Sequence, residues 1–303
     1  VNFGFDTDIE FGKFFPEKSG VRIPMHFDYS LIHAVPKYDP LNPDILFKDE
    51  LNTFNNKEQR DSVKALRDDY TQTKNFNLMN VRKDRTSDKK PKIWDVENFN
   101  VSYAYSEIFH RNVDIEYDLR QKYTGGLGYN FAATPKIVLP FSRLKFISKH
   151  KGLRLISEFN FYYLPKSFSF RTDMNKEYNE RQFRNKSSAI IPMETFYMKK
   201  WDWSRIFDLK WDLARSIKIT FVANANAYIL EPPGKVDKSA SSQVWNQITS
   251  FGTMSTYNQL VNVTYDLPFQ KIPILDWIQL SAGYQALYRW TASPLSIQAD
   301  FAN

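Results

Sequence analysis

Cysteine is absent from the 303 residues, which excludes disulfide frameworks, Cys-ligated zinc, iron–sulfur clusters and thiol nucleophiles together. Glycine, at 10 residues, stands at about half the usual ~7%, so collagen-like and flexible-linker chains are excluded. Only four histidines occur. His26, His33, His110 and His150 show neither paired nor H-E-x-x-H spacing, so neither metal binding nor histidine catalysis is expected. No apolar run approaches the ~18–20 residues of a membrane-crossing helix; Ala189-Ile190-Ile191-Pro192-Met193 is short and contains proline. Val1 opens inside a patterned segment, with no basic stretch followed by an apolar one, so no signal peptide is visible and a mature or excised piece is expected.

Aromatics are abundant: 25 Phe, 17 Tyr and 7 Trp make 16% of the chain. Together with a 42% hydrophobic fraction they rule out disorder. The dominant signal is a period of two. In residues 1–11, Phe3, Phe5, Ile9 and Phe11 alternate with Asn2, Asp6, Asp8 and Glu10, as a strand with one apolar and one acidic face requires. After the turn-like Pro16-Glu17-Lys18-Ser19-Gly20, the pattern returns as Val21, Ile23, Met25, Phe27, Tyr29 and Leu31 against Arg22, Pro24, His26 and Asp28. A hairpin is expected, with a bulge or a local break at Pro24 because proline cannot donate to a ladder.

The longest run is 113–131, with Val113, Ile115, Tyr117, Leu119 and Tyr123 opposing Asp114, Glu116, Asp118, Arg120 and Lys122. At ~3.3 Å per residue it would reach about 60 Å, and even tilted it would rise past the ~25 Å apolar band of an outer-membrane barrel. A wall continuing beyond the bilayer would explain that length. Further runs occupy 97–108, 153–163, 166–176, 195–213, 216–229, 255–268 and 276–291, with a weaker one at 71–82. About eleven antiparallel strands and no βαβ unit follow, so the class is all-β. Residues 1–303 are read as part of one barrel domain with loop insertions at 34–70 and 230–253. The first insertion should carry a short solvated helix around Val63 and Leu66, the second an amphipathic turn of Val244, Trp245, Ile248 and Phe251.

Alternation by itself does not say what the rings touch: a second sheet in a soluble sandwich, or lipid. Three features favour lipid. The runs are long, charges of both signs sit in mid-strand, and Tyr29, Tyr123, Tyr129, Trp201, Trp203, Tyr288 and Trp290 stand towards run ends, where membrane-interface rings belong. The expectation is an antiparallel transmembrane β-barrel wall segment. Its lipid-facing residues would be Phe3, Phe5, Ile9, Phe27, Tyr29, Val113, Ile115, Tyr117, Leu119, Trp211, Leu280 and Tyr284. Its lumen-facing residues would be Asp6, Asp8, Glu10, Arg22, Asp114, Glu116, Asp118, Arg120 and Lys122. No catalytic, cofactor or metal site is expected. Carboxylates in a row on one strand lack ligands from a second strand. Gly125-Gly126-Leu127-Gly128 lacks the Lys-Ser/Thr of a phosphate loop and marks a bend or a close backbone approach instead. Basic runs at 82–85, 89–92 and 145–151 read as turn tips, not as a nucleic-acid surface.

Several segments resemble the giant SprA/Sov family, the outer-membrane translocons of the type 9 secretion system in Bacteroidota. They are Leu267-Pro268-Phe269-Gln270-Lys271-Ile272-Pro273-Ile274-Leu275-Asp276-Trp277-Ile278, Ile229-Leu230-Glu231-Pro232-Pro233-Gly234-Lys235-Val236, Asn80-Val81-Arg82-Lys83, and Leu164-Pro165-Lys166-Ser167-Phe168-Ser169-Phe170-Arg171 continuing to Arg184. The resemblance implies an interior slice of a very wide single-chain barrel in the bacterial outer membrane, which exports folded proteins and serves gliding motility. It also implies a PorV-type shuttle barrel and a plug protein as partners, with secreted proteins bearing C-terminal sorting domains as cargo. An ordinary porin or receptor barrel, or a soluble β-sandwich binding module, would fit the same alternation.

Overall fold

The computed structural model describes residues 1–88, 90–141, 156, 158–186, 191–235, 238–272 and 275–293. Among them runs one eleven-stranded antiparallel sheet. Its strands are β1 (Asn2–Glu10), β2 (Val21–Arg22), β3 (Pro24–Ala34), β6 (Asp69–Lys83), β7 (Phe99–Arg111), β8 (Ile115–Ala132), β9 (Ser167–Phe183), β10 (Thr195–Asp212), β11 (Ile217–Tyr228), β12 (Thr253–Leu267) and β13 (Leu280–Thr291). Ten of them follow one another in sequence order, and the short β2 pairs with β6 beside β3. A separate two-stranded hairpin, β4 (Tyr38–Asp39) and β5 (Asn42–Leu46), precedes helices α1 (Phe47–Thr53) and α2 (Lys57–Arg67). Helix α3 (Lys238–Thr249) lies between β11 and β12. No described helix is long and apolar enough to cross a membrane. β1 and β13 end the sheet without closing it.

Strand boundaries follow from local hydrogen-bond chemistry. The run from Val21 breaks at Ile23, whose N–H goes to Glu10 Oε1 (2.6 Å) instead of a ladder, and Pro24 has no N–H to offer. The strand expected from 113 begins at Ile115, because Asn112 Oδ1 accepts both the Asp114 and Ile115 N–H groups in an Asx turn. The weak alternation of 71–82 is a bulge: pairing with β7 shifts between Leu78 and Val81, around Asn80 at φ 58°. The described part of the expected strand 153–163 holds one isolated bridge, Val138 with Phe161. There the Tyr162 N–H donates to Leu213 O and Tyr162 O accepts the Trp211 indole N–H, so this segment lies against the sheet's end and not in it. Residues Leu153 and Leu155, His150 and the basic run 145–151 lie outside the described residues. The last strand starts at Leu280, not 276, because the Ile278 N–H closes a turn on Leu275 O.

The glycines of Gly125-Gly126-Leu127-Gly128 sit inside β8. A Cβ on Gly126 would lie 2.7 Å from Asp173 Oδ1, and one on Gly128 2.5 Å from Asn100 Oδ1. Neighbouring strands' polar side chains occupy that room, where the sequence points to a bend or a close approach of backbone. Gly20 ends the first hairpin turn at φ 67°, where a Cβ would stand 2.3 Å from Asp84 O, while Asp84 N donates to Gly20 O at 2.7 Å. Gly20→Val should therefore destabilise the 1–34 hairpin by about 1–3 kcal/mol. Gly4→Val, with nothing within 4 Å of its Cβ, should not. Hydrogen exchange across β1 and β3 distinguishes the two.

Candidate functional surfaces of the sheet

Residues opposite each other in an antiparallel ladder share a face, so the register carries one face across the whole sheet. Phe5 faces Tyr29, Phe27 faces Phe76, and Phe76 faces Tyr105. Tyr105 faces Tyr123, and further along the sheet Tyr129 faces Phe170. Phe170 faces Phe207, Trp211 faces Ile219, Ile219 faces Val263, and Val263 faces Tyr284. This ring face is one continuous surface. Directly opposed rings pack at 4.9 Å between centroids in Phe99–Tyr129, Tyr105–Tyr123 and Phe170–Phe207, each contact contributing about 0.5–1.5 kcal/mol beyond burial. The sandwich alternative requires a second sheet over it. Among the described residues the only other sheet is the β4–β5 hairpin, and Phe3, Phe5 and Tyr284 remain more than half exposed.

Phe3, Phe5, Ile9, Phe27, Tyr29, Tyr117, Leu119, Trp211, Leu280 and Tyr284 fall on the ring face by register, and Ile115 shares their parity in β8. Val113 does not: it lies in the Asn112 turn ahead of β8 and lines a cleft with Leu66 and Gln182.

The opposite face is charged and laddered with ion pairs. Asp118 is 2% exposed between Arg120 (2.7 Å) and Arg181 (2.5 Å). Lys122 meets Glu177 at 3.1 Å and Glu116 meets Arg184 at 2.7 Å. Asp114 is a turn residue, not a strand one, and pairs with Lys186. Glu10 folds over its strand end, accepting from Gly12 N and Ile23 N. Arg22 pairs with Asp84 at the sheet's end. The β1–β3 register also gathers the exposed Asp6 and Asp8 with half-buried His26, whose Nδ1 lies 2.8 Å from Asp8 Oδ1.

The ring face holds charges that simple alternation hides. Lys74, Glu107, Lys176, Glu180 and Arg205 all lie on it. Glu107 accepts from Lys74 (2.9 Å), Tyr105 (2.5 Å) and Gln121 (2.8 Å), and Glu180 from Tyr117 and Tyr178. Their odd or even positions within aromatic runs, such as Trp201-Asp202-Trp203-Ser204-Arg205, were the available signal. The expected interfacial placement of Trp203 is corrected: it is 7% exposed, packed with Ala227, Ile229 and Val244. Tyr29 and Tyr123 stand in mid-sheet.

Both long insertions leave the same end of the sheet, here the insertion rim. The second places Val244 and Ile248 of α3 against Trp203 and the Phe251 ring 5.8 Å from that indole, while Trp245 points away at 64% exposure. The first is more structured than the single solvated helix expected. It has two helices, Phe47 at 1% exposure, and α2 sharing a cleft with ring-face Phe109 and Tyr117. Arg67 binds it together, 2.8 Å from Asp39 and 3.6 Å from Glu50. Burial alone would raise the Asp39 carboxyl, but the Leu41 N–H and the Arg67 guanidinium outweigh it and hold it below the usual range. Glu50 is pushed the other way by burial and by Asp39's charge.

Because Asp39 is lowered on folding, its contribution is present above the ordinary carboxylate value of ~3.9 and is lost as pH falls through its folded value. Glu50, being raised, opposes that loss in acid. Arg67→Ala should loosen 36–68 by about 3 kcal/mol at neutral pH, leaving Asp39 buried without its cation; Glu50→Gln should not. Limited proteolysis within 36–68 reads both.

No curated protein matches the chain. Residues 1–51, which carry β1 to β5 and the start of α1, match the family SprA_N, described as motility related/secretion protein.

Proposed function

We propose that this chain is a stretch of the wall of a wide outer-membrane β-barrel through which folded proteins leave the cell, in type 9 secretion and gliding motility. The observation that carries the reading is the segregation of the sheet. Rings line one face across ten consecutive strands, with the charges on that face gathered towards the insertion rim, ion pairs line the other, and no second sheet covers the rings among the described residues. Lipid would solvate the ring face and water the charged one. A sheet in lipid tolerates no unpaired edge, so β1 and β13 call for further strands beside them. Barrel diameter grows with strand number, which favours a wide conduit. The match of residues 1–51 supports the association with secretion and motility.

In this reading the wall is passive and no residue makes or breaks a covalent bond. A PorV-type shuttle barrel would accept cargo bearing C-terminal sorting domains, and a plug protein would close the conduit against leakage. Neither nucleic acid nor a cofactor has a part.

Adjacent residues of β12 test the assignment. Val263 lies on the ring face opposite Ile219 and Tyr284, and Asn262 lies on the charged face opposite Thr220 and Gln285. Val263→Arg should cost about 2–4 kcal/mol near the bilayer midplane. It should strip the chain from the outer-membrane fraction and abolish release of a reporter carrying a sorting domain. Asn262→Arg should leave both intact. Equal effects, or extraction of the unaltered chain by buffer without detergent, would overturn the assignment.

A further inference from the structure

The ring face is not uniform from one end of the sheet to the other, and the change has a slope. Moving from the insertion rim along the strands from β7 to β12, of which β11 has none, the last charged or carboxamide side chain on the ring face is Glu107 on β7 and Gln121, directly opposite it, on β8. On β9 it is Lys176, opposite Tyr123 and so two residues further along. On β10 it is Arg205, four residues beyond Trp201, the partner of Lys176. On β12 it is Gln259, two residues further again, opposite Ala223 and through it Phe207. The boundary therefore advances eight residues over five strand-to-strand steps. At ~3.3 Å per residue and ~4.8 Å between strands, that is a slant of roughly 45°. Strands of a membrane barrel tilt by ~35–45°, so a boundary level with the membrane plane would climb across the register in this way. A boundary set by strand pairing alone would follow the rows.

Beyond it, every ring-face position from β7 to β12 is free of charge and carboxamide. On β8 these are Tyr123, Gly125, Leu127, Tyr129 and Phe131. Phe168 to Met174 on β9, Phe207 to Trp211 on β10 and Val261 to Leu267 on β12 behave alike, with Thr172 the one non-aromatic hydroxyl. Five to nine residues span about 17–30 Å along a strand, or roughly 12–21 Å of height at that slant. The connections at the far end extend it. Tyr129 Oη donates to Ile93 O (2.7 Å) and Trp211 Nε1 to Tyr162 O (3.0 Å), which hangs both loops on the ring-face side. Those two loops present Trp94 at 74% and Tyr163 at 61% exposure, and the connection before β13 presents Trp277 at 79%. Apolar rings with so little cover belong in an aromatic girdle. On the insertion side, by contrast, ring-face cations are taken up by protein: Lys176 by Glu231, Lys199 by Pro232 O (2.8 Å), and Arg205 over Trp203 and Phe251.

Resting on the reading of the ring face as the wall's outer surface, we propose that the bilayer embraces only the half of that face away from the insertions. The half bearing Lys74, Glu107, Glu180 and the two helical insertions stands clear of the hydrocarbon in water.

Single cysteines introduced into this cysteine-free stretch, in the full protein with any cysteine outside it replaced, carry unique spin labels within native membranes. Leu127→Cys, Phe207→Cys and Val263→Cys report the band; Gln72→Cys and Gln182→Cys report the insertion side. The proposal expects band labels to be relaxed by dissolved oxygen and shielded from a water-soluble nickel chelate. The other two should show a several-fold lower ratio of oxygen to nickel accessibility. If all five sites are oxygen-rich and nickel-poor, the lipid covers the whole ring face and this proposal falls while the barrel reading stands. If the band labels are nickel-accessible or inaccessible to both reagents, both fall together.

Discussion

A strand has two faces, and in an antiparallel ladder each residue hands its face to the residue opposite. Every larger feature of this molecule depends on that transfer holding across ten strands. From Phe5 on β1 to Tyr284 on β13 the parity is passed from neighbour to neighbour, and where it slips, at Leu78 to Val81, at Ile115 to Tyr117 and at Asn226 to Ala227, a bulge absorbs the extra residue. One misplaced residue without a bulge would send all later rings to the charged side.

That constraint explains why the two faces solve their electrostatics differently. On the charged face, carboxylates and guanidinium groups stand two residues apart on a strand or opposite each other, and they neutralise locally: Asp118 with Arg120 and Arg181, Arg171 with Asp173. On the ring face a charge has few such neighbours. It is tolerated only where tyrosine hydroxyls surround it, as at Glu107 and Glu180, or where an insertion reaches over it, as Glu231 does to Lys176. Burying an ion without such partners costs several kcal/mol, so the insertions and the ring-face charges occupy the same end of the sheet for one physical reason. The 229–252 connection brings both the cover for Trp203 and the carboxylate for Lys176.

Much of this was legible in the chain before folding. The antiparallel all-β class, the two faces and the break at Pro24 follow from period-two patterning and from the stereochemistry of proline. What misled was local too. Asn112 captures two backbone N–H groups and withdraws Val113 and Asp114 from the strand they seem to begin. The 158–163 segment has strand-like alternation, but its main chain bonds to Leu213 and Trp211 at the sheet's end. A pattern of side chains does not say where the backbone's hydrogen bonds go.

The alternation of rings with charges therefore determined by itself that a two-faced sheet would form and which residues would share a side, because the pleat admits no other arrangement. Which strands lie beside which, that both helical insertions fold back over the same end of the ring face, and that the charge boundary runs obliquely across the register were decided only by tertiary structure. Those are relations between residues far apart in the chain, such as Tyr117 and Glu180 at 63 positions, and no local spacing encodes them.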